Sequence, residues 1–309
     1  MCDIRMSKIL FWSPLHGQGQ TSNLHVTAFI MSLLHQKQVL MMQTQFYGNN
    51  LESPLVGHNV DKSKTDDFFQ DIGLDAAVTY SRMNRLNKEM LENCCVTFPG
   101  MKLLLLPGTE IKNRETFDRD IGKAVTRVIR AADECMDVIL IDSNSGEDAL
   151  SVKLMEIADI IVVNLTQHRY ILEKVFSNRE LLENKSKLFF LFGDYDDNSS
   201  YSINNCRRKY RKYMNNKNSG VIPYCTKYMD AQNESNVSGF MLQGLRLDRE
   251  GEWDKLYRYI LGFFLGSSSI KEETDYFFHR SRLAVEKMLD MLKISIRNER
   301  REGSRHEYR

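Results

Sequence analysis

No apolar run in this chain approaches the roughly 18 residues that a membrane-spanning helix needs, and the opening stretch MCDIRMSKIL has no apolar segment of the kind that directs secretion. Both absences set the expectation of a cytoplasmic protein. Paired cysteines are missing as well. The six, Cys2, Cys94, Cys95, Cys135, Cys206 and Cys225, include no CxxC and have no histidines at ligand spacing, which argues against a zinc site or a disulfide framework and for reduced thiols. Nor is there an excess of charge. Forty-two Lys and Arg against 41 Asp and Glu give a formal net charge of +1, so the overall field does not argue for nucleic acid, and any basic surface is local. Internal repeats and long low-complexity segments are also absent.

What remains is an ordinary globular composition, 42% hydrophobic and 27% charged over 309 residues, long enough for one large α/β domain or for two small domains. Short apolar runs alternate with helical patterns, which predicts a doubly wound, mostly parallel sheet covered by helices on both faces. Strands are expected at Ile9–Trp12, Val39–Met42, Lys102–Thr109, Val138–Ile141, Ile160–Asn164 and Leu188–Phe192, with a short edge strand ending at Pro223. The first helix carries Val26, Phe29, Ile30, Leu33 and Leu34 on its apolar face. Further helices are expected over Asp66–Arg82, Asn87–Asn93, Arg119–Cys135, Ser202–Met214 and Trp253–Leu265. Gly266–Ser269 reads as a linker, dividing a main domain (1–265) from an extension (266–309). In that extension one long helix, with Phe278, Val285, Met288, Leu289, Leu292 and Ile296 on a single stripe, precedes a polar tail.

Between the first strand and helix runs HGQGQTSN, from His16 to Asn23. A loop that joins a buried strand to a helix holds phosphate because successive backbone N–H groups and the helix N-terminus point at the anion. Gly17 and Gly19 stand where the backbone must approach closely. Singly, the bland readings are as good: a tight turn for the glycines, a helix cap for Thr21 or Ser22, and a strand-end turn for Asp142.

In this order the segments resemble the ParA/MinD family of P-loop ATPases, including the pilus-localisation branch typified by TadZ. The family loop GKGGVGKTT, laid on this sequence, puts its first glycine on Pro14, its signature lysine on Leu15 and its next glycine on His16. Gly17 and Gly19 match, the phosphate-binding lysine falls on Gln20, and Thr21 and Ser22 match the hydroxyl pair. VLMMQTQFYGNNLE is similar to the family's second strand with both aspartates replaced, by Gln43 and Gln45. VILIDSNSG resembles the Walker B strand, with Asp142 where a water on magnesium is held and Gly146 where the γ-phosphate is sensed. LLLLPGT, ADIIVVNLTQ and VIPYCTKYMDAQN resemble later strands and loops. The resemblance implies ATP or ADP with Mg2+ held by His16, Gly17, Gln18, Gly19, Gln20, Thr21, Ser22 and Gly146. Thr21 and Asp142 would take the metal, and Gln45 and Asp142 would stand at the catalytic positions.

Loss of both lysines turns that expectation toward a pseudo-ATPase, binding nucleotide weakly or not at all and acting as a positioning, partition or assembly partner. Two alternatives stand beside it: a slow ATPase that cycles between monomer and dimer, and a nucleic-acid-binding accessory protein. The last rests on a basic helix in which Arg207, Arg208, Lys209, Arg211 and Lys212 alternate with Tyr210 and Tyr213. Its bland reading is a solvated face with the tyrosines packed inward. A homodimer is expected. The C-terminal stripe is expected to pack on its own domain first, against a protein partner second and on a membrane surface last.

Overall fold

The structure is a computed structural model that describes residues 6–45, 51–56, 72–109, 111, 124–146, 148–249 and 268–306, of which 246–249, 268–271 and 294–306 are described as backbone alone. Cys2 and the expected helix Trp253–Leu265 lie outside these residues. The apolar runs form eight strands: β1 (Ser7–Trp12), β2 (Val39–Gln43), β3 (Val96–Thr97), β4 (Leu103–Leu106), β5 (Val138–Asp142), β6 (Ile160–Leu165), β7 (Leu188–Tyr195) and β8 (Ser219–Pro223). They make one sheet in the order β3-β4-β2-β5-β1-β6-β7-β8. Every pairing is parallel except β3 with β4. The two-residue β3 is an edge strand that the sequence pattern does not announce, because so short a strand carries no periodicity.

Successive residues of a strand face opposite sides, and the two cores separate accordingly. Leu10, Trp12, Leu40, Met42, Ile139 and Ile141 face the side covered by α3 (Leu74–Arg82), α4 (Lys88–Asn93), α5 (124–132), α6 (Ala149–Ile157), α7 (Arg169–Ser177), α8 (Arg179–Glu183) and α9 (Ile203–Lys209). Ile9, Phe11, Val39, Met41, Val138 and Leu140 face α1 (Gln20–Leu33), α2 (Ser53–Val56), α10 (Thr226–Asn233), α11 (Val237–Arg249) and the long C-terminal helix α12 (Ser268–His306).

Three expectations change. The expected basic helix Ser202–Met214 ends at Lys209 because Tyr210 leaves it to stack flat on Phe176, ring centroids 3.8 Å apart. Arg211 and Lys212 therefore stand on a turn. The helix α12 begins at Ser268, inside the glycine-serine stretch, and its backbone stays helical to His306, through what reads as a polar tail. The first helix has no solvent stripe over most of its length: it is buried from Leu24 to Ser32 because α11 and α12 cover the side turned away from the sheet.

The apolar stripe of α12 is covered within the chain. Phe277, Phe278, Ala284, Val285, Met288 and Leu292 are buried against β8, α1 and α11. Its closest approach is at Gly220, where an added β-carbon would stand 2.5 Å from the β-carbon of Ala284. Real β-carbons do not come so close, so Gly220→Ala should push α12 off β8 at a cost of about 1–3 kcal/mol. Urea unfolding checks this, and an unchanged midpoint would show that the helix slides aside freely.

Candidate functional site: the phosphate loop

The C-terminal ends of the central strands meet at one place. Parallel register aligns Phe11 of β1 and Gln43 of β2 with Asp142 of β5, so the loop after β1 lies beside the loops after β2 and β5. In doubly wound sheets this is where ligands sit. The loop closes with Gly17 at φ 79° and Gly19 at φ 67°, a left-handed region that strains a side chain. Gly19 caps α1 without any side-chain hydrogen bond, so the first N–H groups of the helix are left to face an anion. Gly146, at φ 83°, donates its N–H to the Ser13 carbonyl (2.9 Å) and accepts from Trp12 Nε1 (2.6 Å). That ties the loop after β5 to the phosphate loop.

The floor of the site is a neutral network around one carboxylate. Asp142 has no solvent exposure. Its Oδ1 accepts from Gln20 Nε2 at 2.6 Å and its Oδ2 from Thr21 Oγ1 at 2.7 Å. The same Gln20 amide donates to the Ser143 carbonyl (2.6 Å), and its Oε1 accepts from Ser13 Oγ (2.8 Å). Gln45 reaches the Ser143 carbonyl from the side of β2, at 3.3 Å. Burial pushes the Asp142 carboxyl up to about 6, and hydrogen bonds from Thr21, Gln20 and Gln45 only partly oppose it. Glu52 adds to the rise. Its Oε2 accepts from Gln43 (3.3 Å) and its Oε1 from the Gly108 N–H (2.5 Å).

Above this floor is a pocket of about 380 Å3 lined by neutral groups, Ser13, Gln20, Thr21, Ser22, Gln45, Ser53, Ser145 and Gln232, with His16, His25, Gly17, Gly19 and Pro54. No lysine or arginine lines it among the described residues. The shape fits a phosphate, while the charge does not: the backbone donors are present and a neutralising cation is not. Thr21 and Asp142 would hold a magnesium ion, provided they release each other and Gln20.

Of the residues singled out in the sequence, His16, Gly17, Gly19, Gln20, Thr21, Ser22 and Gln45 line the pocket, and Asp142 lies beneath Gln20 and Thr21. Gln18 points elsewhere. Its Oε1 accepts from Thr166 Oγ1 (2.7 Å) and its Nε2 donates to the His16 carbonyl (3.3 Å), which pins the loop to the end of β6. Gly146 braces Ser13 from outside the lining. Ser22 is engaged by α10: its Oγ accepts from Gln232 (2.6 Å) and its carbonyl from Tyr228 (2.8 Å).

His25 and Asp194 carry no sequence signal. His25, one turn after Thr21, is fully buried in the pocket wall; its Nε2 meets the Leu51 carbonyl at 2.9 Å and its Nδ1 has no partner. Burial holds its pKa down near 4, so it is neutral and its Nδ1 is a free acceptor. Asp194, left-handed at φ 46°, places Oδ2 3.8 Å from where a β-carbon on Gly19 would stand. It brings a second negative charge to the loop.

Asp142 and His25 give opposite pH dependences in one window. A carboxyl raised to about 6 holds its proton better in the folded state, so its contribution is full below about 4 and is lost as pH rises through 6. A histidine lowered to about 4 contributes fully above 6.5 and loses that as pH falls through 4. Each is on the order of 3 kcal/mol, and in the native protein they offset one another. Relative to the native protein, His25→Gln should lose stability as pH rises from 4 to 6.5 and Asp142→Asn should gain it. Urea midpoints across that range decide the matter, and parallel profiles for all three proteins would refute it.

No family model matches the sequence, and no curated protein matches it. Solved structures do. A ParA family ATPase from Chlorobium tepidum superposes with a TM-score of 0.62 at 16% identity, over 88% of this chain and 98% of that one. The cell division ATPase MinD of Pyrococcus furiosus gives 0.58 at 16%, over 92% and 99%. A variant of Cyanothece McdA, solved as an ATP complex, gives 0.54 at 15%, over 75% and 88%. The eight-stranded sheet, the loop after β1 and the helices on both faces thus make up a ParA/MinD-like P-loop fold.

Proposed function

We propose that this chain is a positioning, partition or assembly protein built on the ParA/MinD fold, with a phosphate loop that holds nucleotide weakly or not at all and turns it over poorly. The observation that carries the reading is Gln20. At the position of the phosphate-binding lysine it carries a neutral amide whose donors are taken up by Asp142 and Ser143 beneath the pocket, so the pocket receives no positive charge from it. Phosphoryl transfer depends on positioning and on neutralising charge at the phosphates, and neither Gln20 nor Leu15 supplies that charge. Asp194 beside Gly19 works further against a polyphosphate. On this reading the protein acts as a homodimer or with a protein partner whether or not nucleotide is present.

A second reading, a slow ATPase, draws on the intact loop geometry and on His25. The unpartnered Nδ1 of that histidine is a hydrogen-bond acceptor closed to solvent beside the pocket, so this reading requires the wall to open before a water is oriented there in place of the missing aspartates. ATP or ADP with Mg2+ would then sit on the N–H groups from Gly17 to Ser22.

Calorimetric titration of ATP with magnesium separates the two. The first reading expects binding at least roughly tenfold weaker than in Gln20→Lys, where the restored cation meets phosphate, together with a sedimentation profile that nucleotide does not change. ATP hydrolysis that is measurable in the native protein and lost in Thr21→Ala would overturn it in favour of the ATPase.

A further inference from the structure

Near-neutral chains build strongly basic places only locally, and one is built at the edge of β8. In the pairing with β7, the Phe190 N–H takes the Asn218 carbonyl, which leaves the Ser219 carbonyl turned to the free side of the strand. Arg207, in the last turn of α9 on one face of the sheet, donates Nε to Ser219 Oγ at 2.9 Å and Nη2 to the Ser219 carbonyl at 3.2 Å. Lys287, from α12 on the other face, donates Nζ to that same carbonyl at 3.3 Å and to Asn216 Oδ1 at 2.9 Å. Two cations from opposite layers therefore share one oxygen and stand side by side.

Arg280, two turns earlier on α12, completes the group. Its guanidinium lies 5.4 Å from the centre of the Tyr276 ring and forms no hydrogen bond or ion pair among the described residues. Burial lowers the proton affinity of Arg207 and Lys287, and the charge of Arg280 adds to the effect on both. The acid in this neighbourhood is Asp197, which accepts from the Tyr276 hydroxyl and influences Tyr195 and Tyr276 together with Arg280.

What fixes Arg207 and Lys287 is neutral: Ser219, Asn216, and Asn204 Oδ1 on Arg207 Nη1 at 3.2 Å. Neutral acceptors hold a cation in place without cancelling its charge. About two N–H donors of Arg207, one of Lys287 and all five of Arg280 stay available. Three cations and one acid leave about two positive charges, the complement of a phosphate dianion and an over-match for a lone carboxylate. We infer that Arg207, Arg280 and Lys287 form a binding site for a dianionic phosphate group, as carried by inorganic phosphate or a phosphomonoester. Extended nucleic acid would be gripped instead by the exposed Arg208, Lys209, Arg211 and Lys212. The Ser219 carbonyl opens β8, at the end of the sheet opposite the phosphate loop, so this site stands or falls independently of nucleotide binding.

The test is calorimetric titration of the full chain with inorganic phosphate and, separately, phosphoserine, at constant ionic strength set with chloride. Arg280→Ala is the informative variant, because this side chain makes no hydrogen bond among the described residues whose loss would disturb the fold. It should weaken binding about tenfold, and Lys287→Gln similarly. Gly19→Ala, which distorts the phosphate loop, should leave this event unchanged. Tighter binding of phosphoserine would identify the monoester as the source, and equal binding the free ion. Phosphate binding that is absent, or the same in Arg280→Ala as in the native chain, would overturn the site and leave the cations as guards of an edge strand. So would duplex DNA binding that depends on Arg208, Lys209, Arg211 and Lys212 as strongly as on Arg280.

Discussion

The carboxylate of Asp142 is taken out of water at the meeting point of three strands, with no cation beside it among the described residues. A buried charge in that position has to be held by hydrogen bonds or surrender its ionisation. Here Gln20 and Thr21, adjacent residues in the first turn of α1, supply one bond to each oxygen, and Ser13 and the Ser143 carbonyl hold Gln20 in turn. The bonds join β1, β5 and the start of α1, and they fix the loop between them. Because an amide both donates and accepts, Gln20 bonds Asp142 and the Ser143 carbonyl while taking a bond from Ser13.

The departures from the family pattern take on a different meaning in this light. Gln20, Gln43 and Gln45 read in sequence as three separate losses of charge. In the folded protein they form a coherent polar shell: Gln43 binds Glu52, Gln45 and Gln20 meet on the Ser143 carbonyl, and Gln20 reaches Asp142. The shell holds the acids of the site with neutral groups.

The strands were legible because buried parallel strands are nearly continuous apolar runs, and ILFW, VLMM, VILI and IIVV leave little alternative. The loop was legible through the positions of two glycines. Where Gln20 would point was not, since a long side chain has many rotamers and its partner Asp142 lies 122 positions away. The same holds for His25, which enters the pocket through α1 without a motif, and for Gln232, whose stretch VIPYCTKYMDAQN resembles a family segment without marking this side chain. The basic run 207–212 looked like one surface. Packing split it, as Tyr210 turned onto Phe176, Arg207 turned onto β8, and the other cations stayed in solvent. Periodicity flagged the stripe on α12 as needing cover; only tertiary structure identifies β8, α1 and α11 as the cover.

The burial of α1 on both sides has a consequence for biosynthesis. The sheet side of that helix is covered once the central strands assemble, and part of its outer side once α11 is made, but the rest waits for Phe277 to Leu292, which follow the other described core residues in the chain. About seventy residues separate β8 from the end of that segment, so at roughly 5–20 residues per second the nascent chain carries a partly covered apolar helix for several seconds. During that interval the phosphate loop is attached to a helix that still lacks the part of its cover that α12 supplies.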